Sequence, residues 1–92
     1  MSTPKNSLKN LREKLVAIDS KILDLVAERA DVASEIGLVK AELNLPVEDP
    51  MQEQEVLARN LAHGETKGLD RELIQSLTAL LVKHAVRRQK NS

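Results

Sequence analysis

Residues 8–43 read LKNLREKLVAIDSKILDLVAERADVASEIGLVKAEL. Apolar side chains recur along this stretch at alternating steps of three and four, from Leu8 to Leu43. This spacing is typical of one long helix with an apolar stripe along one side. Arg29 is the single interruption of that stripe. Because an unpaired charge is costly to bury, we expect Arg29 to have a partner there.

The predicted helix is too long for a small domain. Its residues would span about 54 Å, whereas a compact domain of this size has a radius of gyration of about 12 Å. Much of the apolar stripe would therefore be exposed in a monomer. We expect a second copy to cover it, with the two long helices paired across a two-fold axis.

Two shorter helices follow the long one. Asp49 is predicted to cap the second helix, which runs from Pro50 to about His63 and ends at Gly64. Asp70 is predicted to cap the third helix. The predicted fold class is all-α, with one long and two shorter helices in an intertwined homodimer of three-helix chains.

The N-terminal residues 1–7 are polar and are predicted to be disordered or frayed. Two caps remain open for the long helix, namely Ser7, or Thr3 with Pro4 as the first helical residue. The single helical domain is predicted to cover residues 8–90.

Composition excludes several classes of function. The chain has no cysteine, no aromatic residue and a net charge of zero. It therefore has no disulfide framework, no thiol chemistry and no aromatic platform for stacking bases, and it lacks the positive charge of a general nucleic-acid binder. No signal peptide or membrane-spanning run is present, so a cytoplasmic location is expected.

The sequence supports neither a metal nor a cofactor. Its two histidines, His63 and His84, are far apart in the sequence, and no cysteine accompanies them. No glycine-rich phosphate loop and no nucleophile elbow appear.

Polar residues at inward-facing positions are more informative. Lys40 follows Arg29 by eleven residues, which places it about 16 Å along the same face of the helix. Two long cationic side chains could hold the two ends of a small dianion. Gln89 extends an apolar row of the third helix, and Glu53 lies in the first turn of the second helix. Together they predict a pocket with two cations, an amide and a carboxylate.

Arg12 lies beside the stripe, seventeen residues before Arg29 and about 25 Å away along the helix. The two arginines cannot share a small ligand within one chain. In an antiparallel dimer, however, Arg12 of one chain can reach the pocket of the other.

Four motifs carry a family resemblance. They are LREKLxxID at 11–19, LVAER at 25–29, the lysine at position 40 three residues after Gly37, and PVxDPxxE at 46–53. In combination, over roughly Leu8 to Gln89, they resemble the all-helical (type II) chorismate mutases. The resemblance implies an intertwined dimer and an isomerase of the shikimate pathway, in aromatic amino acid biosynthesis. Its reaction is the Claisen rearrangement of chorismate to prephenate, without a cofactor.

The resemblance also implies catalytic roles for four residues. Arg29 would bind one substrate carboxylate, and Arg12 of the partner chain would bind the other. Lys40 would contact a carboxylate and the ether oxygen. Gln89 would donate to the ether oxygen, where negative charge develops as the C–O bond breaks.

Four further positions belong to the implied substrate-binding site. Glu53 and the backbone at Asp49 would hold the ring hydroxyl. At Gln52 several family members have a basic residue, and at Ala85 some have a serine. These departures are expected to affect affinity and substrate preference more than reaction type.

Alternative functions remain open on the sequence alone. Isochorismate pyruvate lyases have a related fold and a similar pocket, although the LPVxDP stretch at 45–50 favours the mutase. A non-catalytic helical dimerisation or regulatory module is the third reading, in which Arg29 would form a structural ion pair across the dimer with an Asp or Glu of the partner. Regulation by a partner enzyme is compatible with each of them.

Overall fold

The three predicted helices are present in the computed structural model, which describes residues 3–91. They are α1 (Pro4–Glu42), α2 (Pro50–Thr66) and α3 (Arg71–Lys90). The all-α fold class with one long helix is therefore confirmed. The helical register of α1 continues without interruption through Gly37, over about 58 Å.

The long helix begins earlier than the predicted domain boundary. The Thr3 hydroxyl accepts a hydrogen bond from the backbone N–H of Asn6 at 3.2 Å, and Pro4 is the first helical residue. Residues 4–7, which we predicted to be disordered or frayed, are thus helical, and Thr3 rather than Ser7 is the cap. Met1 and Ser2, the rest of that predicted segment, lie outside the described residues.

The chain leaves α1 through a left-handed residue. Asn44 has a φ of 55°, a conformation that asparagine adopts more readily than most residues. Its N–H bonds the carbonyl of Ala41 at 3.2 Å, and the N–H of Leu45 bonds the carbonyl of Lys40 at 2.8 Å. This pair of bonds is the Schellman arrangement, which ends the helix and turns the chain towards α2.

The predicted end of α2 at Gly64 is wrong, because the helix continues to Thr66. Gly68, with a φ of 78°, occupies the left-handed position after the helix. Gly64 instead lies inside α2 and is buried, and a Cβ there would come within 2.6 Å of Ile74 Cδ1. Its lack of a side chain allows α3 to approach, and Gly68 supplies the turn.

The third helix packs against both of the others. The buried residues of α1 are Ala30, Ala33 and Gly37, which lie beside the apolar stripe and not on it. At Gly37 the two backbones nearly touch, since a Cβ would lie 2.7 Å from the carbonyl oxygen of Gln89. Contact within the chain therefore uses small residues, and the large apolar side chains of the stripe remain available.

The chain has an extended shape, with a radius of gyration of 17.6 Å and a longest dimension of 62 Å. The N-terminal part of the stripe is exposed, at Leu8, Leu11, Leu15, Ile18, Ile22 and Leu25. This shape is compatible with the predicted intertwined dimer. Within residues 3–91, no helix combines the length and apolar character needed to cross a membrane.

Candidate functional site

A cavity of about 260 Å³, open to solvent, lies where the second half of α1, the start of α2 and the end of α3 meet. Seven of the eight residues predicted for the site line it, namely Arg29, Lys40, Asp49, Gln52, Glu53, Ala85 and Gln89. Apolar side chains complete the wall, including Val32, Ile36 and Val56. The fold thus brings residues of all three helices around one space.

Arg12 is not among the residues that line this cavity. It is exposed on α1 and faces a separate surface depression near Lys9 and Val16. Seventeen residues of uninterrupted helix keep it about 25 Å from Arg29 along the axis. Within one chain, the site therefore lacks the predicted contribution of Arg12.

Arg29 is half-buried, and its partner is a backbone carbonyl. Its Nη1 donates to the carbonyl oxygen of Leu81 in α3 at 3.0 Å. The charge has no carboxylate partner among residues 3–91, and an ion pair across the dimer stays a prediction. Because Nη1 is fixed by α3, the edge formed by Nε and Nη2 remains a suitable fork for a carboxylate.

The side chain of Lys40 links the loop between α1 and α2 to α3. Its Nζ donates to the carbonyl oxygen of Val47 at 2.7 Å and to Oε1 of Gln89 at 2.8 Å. An ammonium group has three N–H donors, so one donor of Lys40 remains. The two bonds hold that donor in a half-buried position at the cavity wall.

Three predicted residues lie at the N-terminus of α2. The Asp49 carboxylate caps the helix by accepting from the N–H of Gln52 at 3.2 Å. Glu53, one turn into the helix, is half-buried, and its carboxylate has no hydrogen-bond or ion-pair partner in the described part of the chain. Its carboxylate is thus available to accept from a bound hydroxyl group.

Two polar contributors to this cavity were not predicted from the sequence. The Val47 carbonyl fixes Lys40, but a backbone acceptor leaves no signature in the sequence. Arg59 in α2 also lines the cavity. Its spacing of seven residues from Gln52, about two helical turns, was a signal that could have revealed it.

Residues 3–91 contain no group of three or more His, Cys, Asp or Glu side chains placed to hold a metal ion. His63 is exposed and His84 is half-buried, and neither lines the cavity.

Comparison with known proteins identifies a family. The family model "Chorismate mutase type II" matches residues 11–90. Over 84 residues the chain is 38% identical to the bifunctional chorismate mutase/prephenate dehydratase of Escherichia coli (strain K12), covering 91% of this chain but 22% of that protein. It is 30% identical over 77 residues to the chorismate mutase of Methanocaldococcus jannaschii, covering 84% of this chain and 78% of that one.

A solved structure has a similar fold. The conserved hypothetical protein from Pyrococcus furiosus superimposes with a TM-score of 0.69 at 36% identity, covering 97% of this chain and 99% of that chain. The bifunctional relatives are longer, and the chain spans about a fifth of their length.

Proposed function

Because the chain belongs to the type II chorismate mutase family, we propose that it catalyses the rearrangement of chorismate to prephenate. The observation that carries this proposal is the gathering of Arg29, Lys40 and Gln89 in one cavity with Glu53. Chorismate has two carboxylates, an ether oxygen and a ring hydroxyl. The cavity offers cations for the carboxylates, donors for the ether oxygen and an acceptor for the hydroxyl.

The reaction is intramolecular. The ether C–O bond breaks while a C–C bond forms between the two ends of the same molecule, so no proton, electron or group enters or leaves. The protein therefore has two tasks. It holds the substrate in the compact conformer in which the two carbon atoms are close, and it stabilises the negative charge that develops on the ether oxygen.

We assign the stabilising donors to Lys40 and Gln89. Lys40 has one donor left after its bonds to Val47 and Gln89, and its positive charge is half-buried, where electrostatic interactions are less screened. Gln89 presents its amide N–H donors because its oxygen is engaged by Lys40. Donors fixed before the reaction need no reorganisation when the charge develops.

We assign substrate positioning to the remaining groups. Arg29 would bind one carboxylate through its free edge, and Glu53 with the backbone at Asp49 would hold the ring hydroxyl. Gln52 and Ala85 would line the site without a charge.

We propose that the active unit is an intertwined homodimer in which Arg12 of each chain completes the site of the other. The exposed apolar stripe of α1 and the extended shape support this arrangement. Analytical ultracentrifugation is expected to give twice the chain mass of 10.2 kDa. A mass of one chain at micromolar concentration would contradict the dimer. The cytoplasmic location stays a prediction from the sequence.

The proposed activity is tested by incubating the purified protein with chorismate and, separately, with isochorismate. We expect prephenate from chorismate and no pyruvate from isochorismate. Pyruvate release without prephenate formation would favour the lyase. A protein inactive towards both compounds would favour the non-catalytic module, as would an Arg29→Ala variant that retains its biological function.

A further inference from the structure

Arg59 is a cavity residue without a role in the site described above. It lies in the middle of α2, is exposed, and lines the same cavity as Arg29 and Lys40. Its guanidinium group has no hydrogen-bond or ion-pair partner within residues 3–91, whereas the side chains of Arg29 and Lys40 are both held by hydrogen bonds. Its guanidinium therefore keeps all of its donors for a ligand.

Helix geometry places Arg59 on the same face as Gln52. Seven residues correspond to about two turns, so the two side chains point in nearly the same direction and start about 10 Å apart along the axis. Gln52, Glu53, Val56 and Arg59 form the contribution of α2 to the cavity wall. Arg59 is the cation among these four.

The charge of the cavity wall makes Arg59 significant. Its lining includes three cationic side chains, Arg29, Lys40 and Arg59, and two carboxylates, Asp49 and Glu53. The wall has an excess of positive charge with Arg59 and is balanced without it. If Arg59 were absent, the charges of the cavity wall would sum to zero. The wall would then exert no net long-range attraction on a doubly negative ligand.

We propose that Arg59 is a further substrate-binding residue, which captures a carboxylate of the substrate at the mouth of the cavity and supplies the cation that Gln52 does not. This inference rests on the proposed function. Because Arg59 is exposed, whereas Lys40 and Gln89 are half-buried and bonded to each other, it acts on substrate entry and binding rather than on the bond-breaking step. Attraction at such an exposed site decreases as salt increases.

The test compares Arg59→Ala with Arg71→Ala, a matched control. Arg71 is an exposed arginine at the start of α3 that pairs with Glu65 at 3.3 Å and does not line the cavity. Both variants lose one positive charge. For Arg59→Ala we expect KM for chorismate to rise about tenfold at low salt, with kcat within about twofold of wild type. The increase should shrink in high salt. Arg71→Ala should behave as wild type.

Two further variants separate binding from a structural effect. Arg59→Lys retains the charge and should recover most of the lost affinity. The double variant Gln52→Arg, Arg59→Ala returns a cation to the same helix face and should lower KM again. Circular dichroism checks that the helices are intact in each protein, and Arg59→Lys decides the outcome if Arg59→Ala does not fold.

Two results would overturn the inference while leaving the proposed function intact. One is an active wild type with an unchanged KM in Arg59→Ala, and the other is a fall in kcat at constant KM. If the wild type forms no prephenate, the proposed function fails, and the role of Arg59 fails with it.

Discussion

Nζ of Lys40 lies 2.8 Å from Oε1 of Gln89, across the crossing of α1 and α3. An ammonium group only donates, so the oxygen of the amide must face it. The N–H donors of Gln89 consequently point away from Lys40, and Gln89 lines the cavity. Lys40 thus has a second effect besides its charge, because it decides which end of the Gln89 amide is available to a ligand.

Replacing Gln89 by alanine should lower kcat for chorismate by about a hundredfold, the usual effect of removing one donor from a developing oxyanion. The KM should change much less, because the charge on the ether oxygen is absent from the bound ground state. Steady-state kinetics measure both constants. Gln75→Ala, which removes an exposed amide of α3 outside this cavity, is the control. An unchanged kcat in Gln89→Ala would remove Gln89 from the mechanism.

Gly37→Ala tests whether the close helix crossing positions Gln89. The new Cβ would lie 2.7 Å from the Gln89 carbonyl oxygen and 2.8 Å from its Cα, and backbone cannot rotate away as a side chain can. Alanine favours the helix by about 1 kcal/mol over glycine, but the required separation of α1 and α3 should outweigh that gain. We expect a lower melting temperature and a lower kcat.

Two comparisons isolate the cause of the Gly37→Ala effect. In Gly64→Ala the Cβ meets only the Ile74 side chain, so stability should change without a selective loss of kcat. In a Gln89→Ala background, Gly37→Ala should cost little further activity, because residues that act as a unit are not additive. Full additivity of the two losses would mean that Gly37 does not act through Gln89.

Subunit mixing tests the contribution of Arg12 across the dimer. Arg12→Ala and Arg29→Ala should each be nearly inactive, since each removes a charged contact from every site. Mixed and allowed to exchange subunits, the two proteins should regain about a quarter of wild-type activity, because half of the dimers are mixed and each contains one intact site. Activity that does not recover, although mass spectrometry with one variant isotopically labelled verifies exchange, would mean that Arg12 does not complete the site of the other chain.

Ile22→Asp tests the stripe of α1 as the dimer contact. Ile22 is 50% exposed in the single chain, so the substitution costs the isolated chain little. In a dimer the carboxylate would be buried without a partner, and we expect the mass to fall towards 10.2 kDa. Ser20→Asp, on the opposite side of α1, should remain dimeric. If Ile22→Asp also remains dimeric, the chains associate through another surface.

The sequence predicted those parts of the fold that depend on local chemistry. The caps at Asp49 and Asp70 are where the capping residues indicated, and the long helix followed from its apolar period. The predicted end of α2 was wrong because Gly64 and Gly68 are both glycines, and either could have ended the helix. Only the position of α3 shows that Gly64 serves packing and Gly68 serves the turn.

The packing of α1 against α3 could not be predicted from the apolar stripe. The stripe is the most hydrophobic side of α1, yet the buried residues are Ala30, Ala33 and Gly37. Close approach of two backbones requires small side chains, and a periodicity argument that counts large apolar residues does not detect it. The spacing of Arg59 from Gln52 indicates that the two share a helix face, but the position of that face at the cavity depends on how α3 packs against both α1 and α2, which no local pattern encodes.

The position of Gln89 in the last turn of α3 has a consequence for order within the site. The carbonyls of a final turn lack helical partners, and helix ends open more easily than helix centres. Gln89, the proposed donor to the ether oxygen, therefore lies in a turn of α3 with few backbone hydrogen bonds to its carbonyls. Side-chain contacts, such as the hydrogen bond from Arg88 to Ser34, hold this turn against α1. A ligand that binds both Gln89 and Arg29 would hold this turn closed. It should slow amide hydrogen exchange in residues 86–91 and leave the exchange rates in the middle of α3 unchanged.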